Sequence, residues 1–306
     1  MMYYLAKIVS SICCMMPFGL AEAIGNFLGS FSWLVVPKWR KKMAIDNIKR
    51  CLGVDEEEAR RIAKESWVRF GPMLMEVMRF PVIHERMTEL VEIAGDGAKL
   101  LRDGLALGKG GIIATAHSGN WELMGGALSA MGFPIVGVAQ KQKEADFDKF
   151  INEYRRMVGM HITYKGDVRE MYDMLKKGWI IGLLMDQDIS VRDGIVFDWF
   201  GRATNFVQGP ATFARYRGAP LFPGYIHRLE NGRHRIIIYP PIFVEKTKDK
   251  HADILNAMIK VSKVLEKHIR EYPEEWFWMH DRWKSMRHRH KDGGEAAAAS
   301  DKDENS

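Results

Sequence analysis

Residues 111–116, Gly-Ile-Ile-Ala-Thr-Ala, and residues 180–185, Ile-Ile-Gly-Leu-Leu-Met, are short runs without a single charge. A strand apolar on both faces has to be covered on both, which is the situation of a central strand in a parallel sheet. The surrounding pattern alternates in the way such a sheet needs. Helical periodicity predicts helices over residues 41–51, 56–78, 96–107, 121–131, 147–158, 168–177 and 252–269, with Asp55 as the N-cap of the second. Further strands are expected at 134–139 and 161–164. Residues 221–228 and 234–244, joined through Asn231-Gly232, read as a hairpin that makes the sheet mixed. The fold expected is therefore α/β, a mixed but mostly parallel sheet flanked by helices.

The first apolar run leads into Ala116-His117-Ser118-Gly119-Asn120-Trp121-Glu122 and then a helix. Ligands of open α/β sheets bind beyond the carboxyl ends of the strands, where His117 would stand. Glu122 falls in the first helical turn, where the helix dipole favours its ionised form. A carboxylate beside an imidazole fixes its tautomer and stabilises the imidazolium, so the pair is suited to taking a proton from a hydroxyl. Competing chemistries lack their motifs. There is no phosphate-binding Gly-rich loop ending in Lys-Ser or Lys-Thr, no Cys-x-x-Cys, no His-Glu-x-x-His and no Gly-x-Ser-x-Gly elbow. His117 is then better cast as a general base than as part of a covalent relay. Gly119 and Asn120 are expected to shape the turn, and their backbone amides are candidate oxyanion donors. Asp186 ends the second apolar run and should emerge at the same sheet edge.

Composition narrows the partners. The 306 residues, 47% hydrophobic and 27% charged, suffice for one large core or two small ones. The net charge is +6, and removing the −4 of residues 292–306 leaves +10 on residues 1–291. Such a body suits anionic partners such as phospholipid headgroups, phosphorylated glycolipids or acidic carrier proteins; nucleic acid is excluded from the expectation because no nucleic-acid module is recognisable. Cys13, Cys14 and Cys51 are the only cysteines, which offers neither a disulfide framework nor a zinc spacing.

Between residues 8 and 37 the only charge is Glu22. The apolar segments on either side are each shorter than the ~20 residues needed to span a bilayer, and spanning as one piece would place a carboxylate near its centre. Pro17 would kink such a helix. A shallow helical hairpin or interfacial anchor is the better reading. Lys38-Trp39-Arg40-Lys41-Lys42 follows it directly, a basic cluster with an interfacial tryptophan that suits an anionic leaflet.

His117-Ser118-Gly119-Asn120-Trp121-Glu122 resembles the His-x4-Asp/Glu box of the glycerolipid acyltransferase superfamily, in the form found in the late acyltransferases of lipid A biosynthesis. The likeness extends through Asp186-Gln187-Asp188, residues 196–201, Gly209-Pro210-Ala211 and Gly218-Ala219-Pro220 to residues 273–284, and back to Arg40, Asn47 and Phe80-Pro81. It covers about residues 40–287. One departure stands out: the family's run of threonines after Phe-Gly is reduced to Thr204, which bears on acyl-chain or acceptor preference.

The resemblance implies a glycerolipid acyltransferase-like fold for the catalytic domain, expected over residues 38–290; the apolar start and the low-complexity end add a membrane anchor over 1–37 and a disordered tail over 291–306. It implies a fatty acyl chain passing from acyl carrier protein to a hydroxyl of a Kdo-bearing lipid A precursor, at the cytoplasmic face of a bacterial inner membrane. His117 and Glu122 would be catalytic; Arg155, Asp186, Asn120 and Arg282 would bind or position substrate, Arg155 as an oxyanion or phosphate donor. No metal or organic cofactor is implied. A related enzyme with another envelope lipid as acceptor, such as a phosphatidylinositol mannoside or a lysophospholipid, and an inactive membrane-bound scaffold are the alternatives.

Overall fold

The two apolar runs lie side by side in parallel, Gly111 opposite Ile180 and Thr115 opposite Leu184. The computed structural model describes residues 2–287, so the expected tail at 291–306 lies outside the described residues. The chain opens with helices α1 (Met2–Met15), α2 (Phe18–Val35), α3 (Lys38–Leu52), α4 (Glu56–Val68), α5 (Phe70–Met78), α6 (Phe80–Ile83) and α7 (Met87–Leu90). Strands and helices then alternate: β1 (Val91–Ile93), α8 (Gly97–Ala106), β2 (Gly111–Thr115), α9 (Trp121–Ala130), β3 (Ile135–Ala139), α10 (Ala145–Met157), β4 (His161–Tyr164), α11 (Val168–Lys176) and β5 (Ile180–Leu184). After these come β6 (Gly194–Trp199), β7 (Arg202–Val207), α12 (Gly209–Arg217), β8 (Leu221–Arg228), β9 (His234–Ile238) and α13 (Lys250–Glu271).

The main sheet has the order β1-β9-β8-β2-β5-β3-β4. Only β8 and β9 pair antiparallel within it, as the Asn231-Gly232 turn requires, so the sheet is mixed and mostly parallel as expected. One face carries α3, α4 and α11 to α13, with Ile48, Ile62, Leu175, Met258 and Leu265 fully buried. The other carries α5 to α10, with Phe80, Leu101 and Phe222 fully buried. Central strands apolar on both sides are thereby covered on both. A separate antiparallel ribbon, β6 with β7, was not foreseen from the sequence.

The helix expected over 56–78 is two helices. Asp55 caps α4 by accepting from the Glu58 amide at 2.9 Å, but Pro72 cannot donate to the Val68 carbonyl and its ring crowds it, so α4 ends at Val68. This break brings Gly71 against Gly25 of α2, where an added Cβ on Gly71 would lie 1.9 Å from the Gly25 carbonyl oxygen. The apolar hairpin thus docks backbone to backbone. Trp67 Nε1 donates to Ser32 Oγ at 2.9 Å, Ser10 Oγ donates to the Met78 carbonyl at 2.6 Å, and Glu22 pairs with Arg228 at 3.1 Å. On their outer faces α1 and α2 leave Leu5, Ile8, Ile12, Phe27, Phe31 and Leu34 exposed. Among the described residues no single helix is long and apolar enough to cross a membrane; α2 and α3 qualify only jointly, across a 105° bend.

Candidate active site

Because β2 and β5 run parallel and in register, residues just past their ends become neighbours. Met185 donates its amide to the Thr115 carbonyl, which carries Asp186 to His117, 69 positions away in sequence. Asp186 Oδ2 accepts from the His117 backbone amide at 3.0 Å. Its Oδ1 lies 2.8 Å from His117 Nδ1. The indole of Trp276 donates to Oδ2 at 2.8 Å, leaving the carboxylate with three partners and 3% exposure. An ionised carboxylate can only accept, so Nδ1 carries the proton and Nε2 presents its lone pair. The exposed Gln187 places its amide nitrogen 3.2 Å from that Nε2. Trp121 packs against the imidazole edge to face, 4.9 Å between centroids.

Burial by itself would lower the pKa of His117. The charge of Asp186, its hydrogen bond and the charge of Glu122 together outweigh that and raise it above the ordinary histidine value. Burial also works against the ionised form of Asp186, and the His117 and Trp276 contacts overcome it, holding the carboxyl below its usual range. The pair can therefore take up a proton at Nε2, with a buried anion to offset the positive charge gained.

The structure corrects the role expected for Glu122. It makes no hydrogen bond to His117; both of its oxygens are taken by Arg155, Nε at 2.8 Å and Nη2 at 2.6 Å. The turn between His117 and α9 directs the Glu122 carboxylate toward α10, and Asp186 arrives at the imidazole from the end of β5 instead. Arg155 also donates to Asn152 Oδ1 at 3.0 Å, so its donors face protein groups.

Asn120 is 2% exposed and does not face an open surface. Its Oδ1 accepts from the Leu123 amide at 3.0 Å as the N-cap of α9, and its Nδ2 donates to Glu76 at 2.7 Å. The Gly119 amide is likewise occupied, donating to the Glu275 carbonyl at 2.9 Å, which removes it from the candidate oxyanion donors.

Gly119 has φ +60°, and a Cβ there would lie 2.1 Å from the Ile226 carbonyl oxygen. A Gly119→Ala variant is expected to lose at least about 1–3 kcal/mol from the backbone conformation alone. A urea titration reads this as a lowered unfolding midpoint, and an unchanged midpoint would contradict the tight turn.

Arg282, expected near substrate, is 1% exposed. Its Nη1 donates to the Asn205 carbonyl at 2.7 Å and its guanidinium lies 4.3 Å from the Phe206 ring centroid, inside the layer that joins the β6–β7 ribbon to the C-terminal block. Burial lowers its pKa to about 10, with Asp186 and Asp188 opposing. Trp276 and Trp278 are packed, and so is Trp283, all at 2% exposure or less. Thr204 is also buried and accepts from Trp283 Nε1 at 2.8 Å. Asp188 receives the Ser285 amide at 2.6 Å and hydroxyl at 2.7 Å, while its own amide donates to His280 Nε2 at 2.9 Å. The C-terminal block therefore clamps the loop carrying Asp186 and Gln187. The functional neighbours that sequence reasoning missed are Gln187 and the Trp276 indole; the position of Gln187, one residue past Asp186, is the signal that could have found it.

An apolar cavity opens beside Glu122 and Arg155 and runs between α9 and the sheet, lined by Trp121, Met124, Leu128, Val138, Met160 and Leu184. The Met160 methyl fits between Gly125 and Gly137, where a Cβ on either would come within 2.8 Å of it. Among the described residues, no three His, Cys, Asp or Glu side chains converge as a metal site would require.

An imidazole held by a buried carboxylate at a strand end, close to an apolar cavity, fits transfer of an acyl group to a hydroxyl, and this chain is an acyltransferase. Residues 1–285 match the family model for bacterial lipid A biosynthesis acyltransferases, and the chain belongs to that family. It is 27% identical over 221 residues to a phosphatidylinositol mannoside acyltransferase of Mycobacterium tuberculosis, covering 70% of this chain and 67% of that one. It is 25% identical over 274 residues to a lipid A biosynthesis lauroyltransferase of Escherichia coli, covering 88% and 87% of the two chains. Among solved structures it is similar to the 1-acyl-sn-glycerophosphate acyltransferase PlsC of Thermotoga maritima, with a TM-score of 0.38, 14% identity and coverage of 80% of this chain and 97% of that one.

Proposed function

We propose that this enzyme moves a fatty acyl chain from acyl carrier protein to a hydroxyl of a Kdo-bearing lipid A precursor. The observation that carries the reaction type is the His117 imidazole, its Nδ1 held by buried Asp186 and its Nε2 beside the exposed Gln187 amide. Nε2 takes the proton of the acceptor hydroxyl as its oxygen attacks the thioester carbonyl. Gln187 yields its place to that hydroxyl and stays near enough to donate to the developing oxyanion. The tetrahedral intermediate collapses with cleavage of the C–S bond, and the imidazolium returns its proton to the departing thiolate, giving an ester and a free thiol. Asp186 orients and stabilises the imidazolium. Glu122 adds negative charge at a distance, with Arg155 holding it in place. No cofactor enters, because the thioester supplies the driving force.

The apolar lining of the cavity under α9 suits part of an acyl chain. The exposed apolar faces of α1 and α2, continuous in sequence with Trp39 and the basic residues 38–42, suit an interfacial anchor on the anionic cytoplasmic leaflet of a bacterial inner membrane. The family match supports a phosphorylated glycolipid as acceptor. A phosphatidylinositol mannoside is the second reading, favoured by the 27% identity to the mycobacterial relative.

Mass spectrometry distinguishes them. Purified enzyme is incubated with a panel of acyl carrier protein thioesters and, separately, a Kdo-bearing lipid A precursor or a phosphatidylinositol mannoside, alongside His117→Ala. The expected result is one added acyl mass on the lipid A precursor with wild type and none with His117→Ala. Acylation of the mannoside alone would move the acceptor to the second reading, and full activity of His117→Ala would remove the base assignment.

A further inference from the structure

A second buried polar cluster meets the His117 turn. Glu76 of α5, 7% exposed, accepts at Oε1 from His234 Nε2 at 2.9 Å and from the Arg228 guanidinium. Its Oε2 accepts from Asn120 Nδ2 at 2.7 Å. Arg228 extends the cluster to Glu22 of α2 at 3.1 Å, and its backbone amide donates to Glu275 Oε1 at 3.1 Å. The Glu275 carbonyl in turn holds the Gly119 amide. Two routes therefore lead from Arg228 to consecutive residues, Gly119 and Asn120, of the turn that joins His117 to the helix carrying Glu122.

Pairing with Arg228 and His234 accounts for the charge of Glu76 but not for the contact of its second oxygen with Asn120. Asn120 Oδ1 caps α9 unaided, and a buried charge is costly unless it is fully paired. What Glu76 adds is orientation: an amide whose nitrogen is claimed by an anion cannot flip, so its oxygen stays on the Leu123 amide. We propose that Glu76 is a positioning residue for acyl transfer, fixing the Asn120 cap and thereby the placement of Glu122 and of the turn around His117. Through Arg228 the same cluster ties this turn to Glu22 on the apolar hairpin. The inference rests on the reading of His117 as the base.

Three variants test it. Asn120→Ser keeps a good helix cap but loses the donor to Glu76. Asn120→Asp also keeps the cap, and sets two carboxylates against each other. In the double variant Glu76→Gln with Asn120→Asp the hydrogen bond is rebuilt with its direction reversed. The new glutamine amide donates to the new aspartate, while its oxygen still accepts from His234 and Arg228.

Misplacing a reacting constellation by about 1 Å costs on the order of 10²-fold. Each single variant is therefore expected to lose about 10- to 100-fold in kcat, with KM for both substrates little changed. The loss in Asn120→Asp, relative to wild type, should shrink as pH falls and one of the facing carboxylates takes a proton. The double variant should recover most of kcat. Wild-type kcat in Asn120→Ser, or a folded double variant no more active than Asn120→Asp, overturns the proposal. His117→Ala is assayed alongside: if it is inactive while Asn120→Ser is fully active, this inference falls and the base assignment stands. Activity in His117→Ala instead removes the base assignment and this inference with it.

Discussion

Asp186→Asn is expected to lower kcat by about 10⁴-fold while leaving the fold intact, the scale seen when a buried aspartate behind a catalytic histidine becomes an amide. The cause is the tautomer. Asp186 accepts from His117 Nδ1 at 2.8 Å, and the asparagine can instead present an N–H there, moving the imidazole proton to Nε2 and removing the lone pair that must accept the hydroxyl proton. A change in pH dependence accompanies the loss. As a base His117 works only when neutral, so the rate rises as pH climbs through its pKa. The negative charges of Asp186 and Glu122 raise that pKa against the opposing effect of burial, so the wild-type acid limb lies above the ordinary histidine value of about 6.5. In Asp186→Asn burial is less opposed, and the limb of the residual activity moves to lower pH. Initial rates from pH 5 to 9 with one thioester and one acceptor measure both effects. Activity within tenfold of wild type, or an unmoved limb, would mean that Asp186 does not govern the imidazole.

Glu122→Ala is expected to lower stability on the order of 3 kcal/mol, because it strands the guanidinium of Arg155 without its bidentate partner. The side chains are only 10% and 18% exposed, so water does little to compensate. Replacing both members, Glu122→Met with Arg155→Met, should restore most of the stability, since an apolar pair of similar volume avoids the burial of charge. Activity should not return with it, because the double variant lacks the charge that acts on His117. Urea unfolding and kcat, measured on the same preparations, separate the two effects. A double variant that regained both would make Glu122 and Arg155 purely a packing element.

Features set by residues close in sequence were legible, and features set by distant residues were not. The runs at β2 and β5, the Asn231-Gly232 hairpin and the Asp55 cap were readable because each depends on residues close in sequence. The break of the expected 56–78 helix is written in Pro72, but a proline at the start of a second helix looks from the sequence like a tolerated irregularity. The β6–β7 ribbon hid in a segment read for its motif and not for its alternation. Arg282 looked like a substrate ligand because an arginine among tryptophans at a C-terminal block suits a phosphate equally well. Its burial between the ribbon and the block depends on a long-range contact.

The sequence alone determined that a parallel sheet would form, that His117 would stand at the end of one of its strands and that Glu122 would follow in a helical first turn, because hydrophobic periodicity and turn chemistry are local. Only the tertiary structure decided which carboxylate meets the imidazole. Strand register carries Asp186 from β5 to His117 and leaves Glu122 to Arg155, and folding likewise pairs Glu22, the one charge between residues 8 and 37, with Arg228. Such pairings follow from the burial of the whole core at once, and no short stretch of residues encodes them.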